Sequence, residues 1–275
     1  MPTTTTPQTG YAPVNGLQMY YEIHGGSAPS GGPAPLVLLH GAFSAIGTSF
    51  DALLPGLAAG RQVIGVDLQA HGRTADIDRP LRLEQLADDV VALLQYLKID
   101  QADLFGYSNG AAVAMRVATR NPEVVRKLVL ASAAYTKDGV HPGLWEGLGE
   151  MKPEMMHGSV WHDEYMRIAP RPQDFSILFA KKTEMDQAAQ DIPAETFAAI
   201  AAPVLLIIGD SDLICPEHAV EMFRLLGGGV FGDMAGMPKS QLAILPGAMH
   251  STLTQNVDML LTMIPRFLDA PPPAP

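Results

Sequence analysis

Apolar residues in this chain fall into short runs, and between the runs lie longer stretches in which they recur at helical spacing. Residues 11–25 alternate in strand fashion around Asn15 and Gly16, a dipeptide that favours the positive φ values of a tight hairpin turn, so the chain is expected to open with an antiparallel pair. Residues 35–40 form a short apolar run, followed by a helical pattern over 50–57 and a second run over 62–68. Leu83, Leu86, Val90, Leu93 and Leu94 then mark a helix within 81–97. A strand over 102–107, a helix over 109–119 and a strand over 127–131 come next. The alternation resumes late in the chain with a helix over 194–200, a strand over 203–209, a helix over 216–226, a strand over 241–245 and a helix over 256–268. Strands alternating with helices predict an α/β fold, a mostly parallel, doubly wound sheet with an antiparallel start and helices on both faces.

The interval from about Ala134 to Pro193 breaks the rhythm. It lacks a convincing apolar strand and carries Met- and aromatic-rich helical patterns, including Trp145, Met151, Met155, Met156, Trp161, Tyr165, Met166, Phe175 and Phe179. That is more apolar surface than a small insertion hides within itself, so part of it is expected to face the body or a ligand. The division that follows is a flexible N-terminus over 1–10, a core formed by 11–135 and 194–269, a helical cap or lid over 136–193, and a disordered Pro-rich tail over 270–275. The connection from Gly227 to Lys239 reads as a long surface loop.

Composition narrows the partners. With 275 residues, 47% of them hydrophobic and 17% charged, the chain can bury one large core. A net charge of -11 disfavours nucleic acid and anionic membrane and fits a small-molecule substrate, while leaving the oligomeric state open. Cys215 is the single cysteine, which rules out an intrachain disulfide. The Thr-rich first ten residues have neither the basic start nor the apolar run of a secretory signal, and no stretch approaches the length of a membrane span, so a cytoplasmic location is expected.

The strongest chemical signal is Gly106, Tyr107, Ser108, Asn109, Gly110, set where an apolar strand ends and a helix begins. A serine on so sharp a turn is forced into a strained backbone, and the residues two before and two after it must be small. Such a turn exposes the hydroxyl and aims the N-terminus of the next helix at any anion formed beside it. A serine hydroxyl needs a neighbouring base, usually a histidine fixed in one tautomer by a carboxylate. Asp210 and Asp212 follow one late strand and His250 follows the last, and residues just beyond strand ends converge on one crevice in a parallel sheet. Asp138, after the preceding strand, is a third candidate acid.

From about Tyr11 to Leu268 the chain resembles the α/β-hydrolase fold family, whose nucleophile turn and order of nucleophile, acid and base it shares. The resemblance implies Ser108 as nucleophile, His250 as base and Asp212 as the acid, because the family's acid lies three residues beyond the strand-ending glycine, here Gly209. It also matches His40, Gly41, Ala42, Phe43 to the family's early His-Gly pair, implying backbone N–H donors at Ala42 and Asn109 for an oxyanion. Residues 67–74 resemble the family's next turn, with Ala70 where glycine is commoner, and His40 and His71 read as structural.

A serine rather than an aspartate at position 108 points to acyl transfer, so the expected activity is that of a serine carboxylesterase or lactonase acting on small to medium, mainly apolar substrates. Phe43, Trp145, Trp161 and Phe179 are the expected substrate-binding side chains. A cofactor-free perhydrolase or haloperoxidase, a carbon-carbon bond hydrolase, and a ligand-binding receptor on the same scaffold are the rivals. No cofactor is expected, since no phosphate-binding glycine loop is present, and no metal, since His157 and His162 fit no zinc spacing.

Overall fold

The structure is a computed structural model that describes residues 6–26 and 32–271. Its centre is a sheet of eight strands: β1 (Gln8–Val14), β2 (Leu17–His24), β3 (Leu36–Leu39), β4 (Val63–Val66), β5 (Ala102–Tyr107), β6 (Val125–Ala131), β7 (Val204–Ser211) and β8 (Gln241–Met249). Their order across the sheet is β1-β2-β4-β3-β5-β6-β7-β8. β1 and β2 form an antiparallel hairpin, closed by Asn15 at φ 48° and Gly16 at φ 85°, the conformation that this dipeptide supplies at least steric cost. β2 runs antiparallel to β4, and the pairings from β4 through β3 to β8 are parallel.

The central strands read as unbroken apolar runs because both of their faces are covered. Val37, Leu39, Leu104, Leu128 and Leu130 point into one hydrophobic cluster, which receives the Leu83–Tyr96 and Asn109–Arg120 helices. Leu36, Leu38, Phe105, Val129 and Ile207 point into the other, packed by the Val257–Asp269 helix. Phe105 meets Phe50 edge to face at 5.2 Å in this second layer, where truncating either ring to Ala would cost about 3–5 kcal/mol.

Three expectations need correction. The N-terminus is not flexible over all of 1–10: β1 begins at Gln8, and Gln8 to Gly10 pair with Ile23 to Tyr21. The single helix expected over 50–57 is two, Ile46–Phe50 and Leu54–Leu57, because Pro55 lacks the N–H a continuing helix would use. β8 runs on to Met249 instead of ending at residue 245. Of the expected tail, residues 272–275 lie outside the described residues, as do residues 1–5 of the N-terminus.

Between β6 and β7 the chain forms the helices Leu144–Glu150, Val160–Ile168 and Phe175–Ala188 with 3-10 turns between them. Met156, Tyr165, Phe175 and Phe179 are buried, and they join the first core cluster instead of forming a separate one. Lys181 fastens the last of these helices to the body, its Nζ donating to the Asp76 carboxylate and to the carbonyls of Ile77 and Arg79. The connection from Gly227 to Lys239 holds one short helix, Gly232–Ala235, and exposes Phe231, Met234 and Met237.

Candidate active site

β3 and β5 are neighbours at the point where the chain turns from one side of the sheet to the other, and a crevice opens beyond their carboxyl ends. Ser108 sits there with φ 54° and ψ −118°, a conformation a non-glycine residue holds only at a cost of about 1–3 kcal/mol. The surrounding glycines explain how the turn closes. A Cβ on Gly106 would lie 2.4 Å from the Gly110 carbonyl oxygen, and one on Gly110 would lie 2.0 Å from the Leu39 carbonyl oxygen. The Ser108 N–H donates to Ala131 on β6 at 2.8 Å, which fixes the turn from the other side.

His250 follows β8, and its position is set from below: the Tyr107 hydroxyl donates to the His250 carbonyl oxygen, and the two rings stack at 5.5 Å. Ser108 Oγ lies 2.9 Å from His250 Nε2, and His250 Nδ1 lies 2.9 Å from Asp212 Oδ1. Asp212 is buried and takes four hydrogen bonds. Oδ1 also accepts from the Leu213 N–H at 2.7 Å, and Oδ2 accepts from the Gly209 N–H at 3.1 Å and from the Ser132 hydroxyl. Burial alone would raise its pKa, but the bonds from His250 and Ser132 outweigh it and hold the carboxyl below the ordinary aspartate value. An ionised Asp212 makes Nδ1 the protonated nitrogen and leaves Nε2 as acceptor toward the serine hydroxyl, a tautomer assigned from the hydrogen-bond network.

The rival acids are elsewhere. Asp210 is exposed and ties the end of β7 to β8, with Oδ2 accepting from the Gly247 N–H at 3.0 Å. Asp138 is exposed in the 3-10 turn Lys137–Gly139 and adds its charge near His218. Ser132, which sequence reasoning missed, sits at φ 53° just past the end of β6. Its signal was positional, the same strand-end logic that singles out Ser108 and His250.

Ala42 follows the β3 end, held by His40: Nδ1 donates to the Gly41 carbonyl at 2.8 Å, and Nε2 accepts from the Leu68 N–H at 3.1 Å. Gly41 is pressed so close to Tyr107 that a Cβ there would lie 3.2 Å from its ring. Asn109 opens its helix, so its N–H has no acceptor one turn back. Residues 67–74 form a tight buried turn, with Ala70 at φ 65° and both Asp67 oxygens accepting backbone N–H groups, from Ile46 and Arg73.

Ala42, Ser108, Asn109 and His250 share one largely apolar cavity of about 390 Å³, whose walls include Phe43, Trp145 and Trp161. Phe179 is not among those walls. It stacks on Phe43 at 5.4 Å and lines an adjoining cavity of about 310 Å³. His157 and His162 pack ring to ring at 4.6 Å, and among the described residues no group of three His, Cys, Asp or Glu side chains is placed to hold a metal ion. Nor is any helix among the described residues long and apolar enough to cross a membrane.

Residues 34–176 match the family described as alpha/beta hydrolase fold. The chain is 34% identical over 258 residues to a dihydrolipoyllysine-residue acetyltransferase component of an acetoin cleaving system from Pseudomonas putida, covering 86% of this chain and 64% of that one. It is 26% identical over 253 residues to a pimeloyl-[acyl-carrier protein] methyl ester esterase of Neisseria meningitidis, covering 84% of this chain and 92% of the esterase. The structure is similar to that of an enol-lactonase from Burkholderia xenovorans LB400, with a TM-score of 0.71 and 22% identity over 94% of this chain and all of that one, a likeness that shows the fold.

Proposed function

This chain belongs to the α/β-hydrolase fold family, and from that premise we propose that it is a serine hydrolase that cleaves carboxylic esters or lactones through an acyl-enzyme on Ser108. The observation that carries the proposal is the unbroken relay from Ser108 Oγ to His250 Nε2 and from His250 Nδ1 to Asp212 Oδ1, each step 2.9 Å, at the wall of an apolar cavity. The esterase among its relatives and the enol-lactonase among its structural neighbours bear names of the same reaction class.

In this reading Ser108 Oγ bonds to the carbonyl carbon while its proton passes to His250 Nε2. Asp212 stabilises the imidazolium and keeps Nδ1–H pointed at itself. The carbonyl oxygen becomes an oxyanion beside the Ala42 and Asn109 N–H groups, each worth roughly a hundredfold to a thousandfold in rate because it acts on charge that grows only in the transition state. The carbon to alkoxy bond breaks as His250 returns the proton to the leaving oxygen. Water then attacks the acyl carbon, gives its proton to His250, and the proton returns to Ser108 as the carboxylic acid departs. The walls at Phe43, Trp145 and Trp161 would take an apolar acyl or alcohol group, and the helical segment over 136–193 would act as a lid. The test is acid-quenched hydrolysis of p-nitrophenyl butyrate: the proposal expects a butyryl adduct on Ser108, with a p-nitrophenol burst when deacylation is the slower step, and a butyryl adduct on another residue would contradict it.

A further inference from the structure

Two cations are buried in the walls of the Ser108 cavity, which is otherwise lined mainly by apolar side chains. Arg116, on the helix that follows Ser108, and Lys182, on the Phe175–Ala188 helix, each have side chains only 9% exposed. Their counter-charges lie nearer the solvent: Glu84, the partner of Arg116, is 41% exposed, and Asp186, the partner of Lys182, is 24% exposed. Asp191, another carboxylate on the cavity wall, is exposed as well. Lys137 is a third, partly exposed cation of the same wall, so the most deeply buried charges around the cavity are positive and its carboxylates are the more exposed ones. Solvent screens the exposed carboxylates more effectively than the buried cations, so the field inside favours an anion, although the chain as a whole carries a net charge of -11.

Neither cation is saturated by its partners. Lys182 Nζ donates to both oxygens of one carboxylate, Asp186, leaving the third of its ammonium hydrogens. Arg116 uses Nε on Glu84 and Nη2 on the Gln190 carbonyl, and its Nη1 makes no hydrogen bond among the described residues. Lys182 lines both the Ser108 cavity and the adjoining one, so it stands where the two meet. Burying an ammonium among apolar walls is costly, and Lys182 lines the space that a ligand would fill.

We infer that the substrate of this site is a carboxylate-bearing ester or lactone, with Lys182 binding the carboxylate and Arg116 reinforcing the field. This rests on the serine-hydrolase reading above and names its substrate class. Asp186 acts as a resident competitor that holds Lys182 until the substrate anion arrives.

The experiment compares kcat/KM for matched pairs, p-nitrophenyl hydrogen adipate against the uncharged p-nitrophenyl adipamate, and the butyrate ester of 4-hydroxybenzoate against that of 4-hydroxybenzamide. The first pair carries the charge on the acyl side and the second on the alcohol side. At least one carboxylate ester should exceed its amide partner by tenfold or more, chiefly through KM, and should lose that advantage as salt is raised. Lys182→Met should bring the ratio below about twofold, Lys182→Arg should keep it, and Asp186→Asn should increase it by releasing the competitor. The double variant Lys182→Met with Asp186→Leu removes the pair together and should match Lys182→Met even if the single change weakens the fold. Labelling of Ser108 by a small neutral fluorophosphonate is run on every variant. If Ser108 is labelled but neither pair shows a preference, or the preference survives Lys182→Met, the inference is overturned and the hydrolase reading stands. If Ser108 takes no label in the unaltered protein, the hydrolase reading fails and takes this inference with it.

Discussion

Ser132 donates its hydroxyl to Oδ2 of Asp212, the carboxylate whose other oxygen faces His250 at 2.9 Å. The contact joins the ends of β6 and β7 and uses the one lone-pair region of Asp212 not turned toward His250 or its own turn. Without it Oδ2 keeps only the longer bond from the Gly209 N–H, and the carboxylate is held less firmly toward His250. Ser132→Ala is therefore expected to lower kcat on p-nitrophenyl butyrate by about fivefold to thirtyfold, consistent with the roughly 1–2 kcal/mol of a charge-assisted hydrogen bond, with little change in KM. The pH dependence of kcat should shift with it, which a purely structural role would not produce. Steady-state kinetics across pH on the purified variant decides it.

The two acids make opposite demands. Asp212→Asn should reduce turnover by a thousandfold or more, because an amide in its place no longer fixes the tautomer of His250. Asp210→Asn should cost less than about fivefold, since Asp210 is exposed and bonds the Gly247 N–H and the Ser211 hydroxyl. Parallel kcat measurements check the pair, and the reverse order would move the acid to Asp210.

Trp145 and Trp161 line the Ser108 cavity, whereas Phe179 reaches it through its stack on Phe43. Replacing either tryptophan by Ala should therefore flatten the preference for longer over shorter esters, by roughly tenfold for each substrate methylene that the shortened wall no longer touches. Phe179→Ala should act more weakly and through Phe43. A chain-length panel of p-nitrophenyl esters reads all three, and a profile unmoved by any of them would make the helical segment packing and not a lid.

Acid should destabilise the fold through two buried histidines. Burial keeps His71 neutral, with its pKa lowered to about 3, and His40 beside it is also lowered by burial. Both take up a proton near pH 6.5 when the chain unfolds, so the unfolded state binds more protons below that pH and stability falls as pH is lowered from 6.5 toward 3. Each histidine contributes a slope of at most about 1.4 kcal/mol per pH unit. Urea unfolding of His71→Phe should show a shallower slope over pH 6.5 to 4 than the unaltered protein, whatever its stability at pH 7. An unchanged slope would mean that His71 is protonated in the folded state.

What could be read from the sequence was what local sterics and periodicity dictate. Gly106 and Gly110 announce the crowding around Ser108, and the runs at β3, β5 and β6 are legible because strands covered on both faces must be apolar throughout. β1 was half legible: Gln8 to Gly10 lie at the edge of the sheet with their side chains exposed or half-exposed, so backbone pairing and not burial holds them, and no hydrophobic pattern marks them. Asp210 and Asp212 are indistinguishable by local pattern, and only family likeness separated them; the 2.9 Å between Asp212 and His250 is a tertiary contact across 38 positions. The bond from Ser132 to Asp212 spans 80 positions and Phe179 was placed by a stack with Phe43, both tertiary contacts that no local spacing encodes.

The central claim is that Ser108 is the nucleophile, and the most direct measurement is reaction with a small neutral fluorophosphonate followed by intact-mass and peptide mass spectrometry. The account predicts one adduct per chain, located on Ser108, with ester hydrolysis lost in proportion, and neither adduct nor hydrolysis in Ser108→Ala while the variant melts at or above the temperature of the unaltered protein because a strained turn has been relieved. An adduct on another residue, or Ser108→Ala retaining more than about a hundredth of the hydrolysis rate, would contradict it.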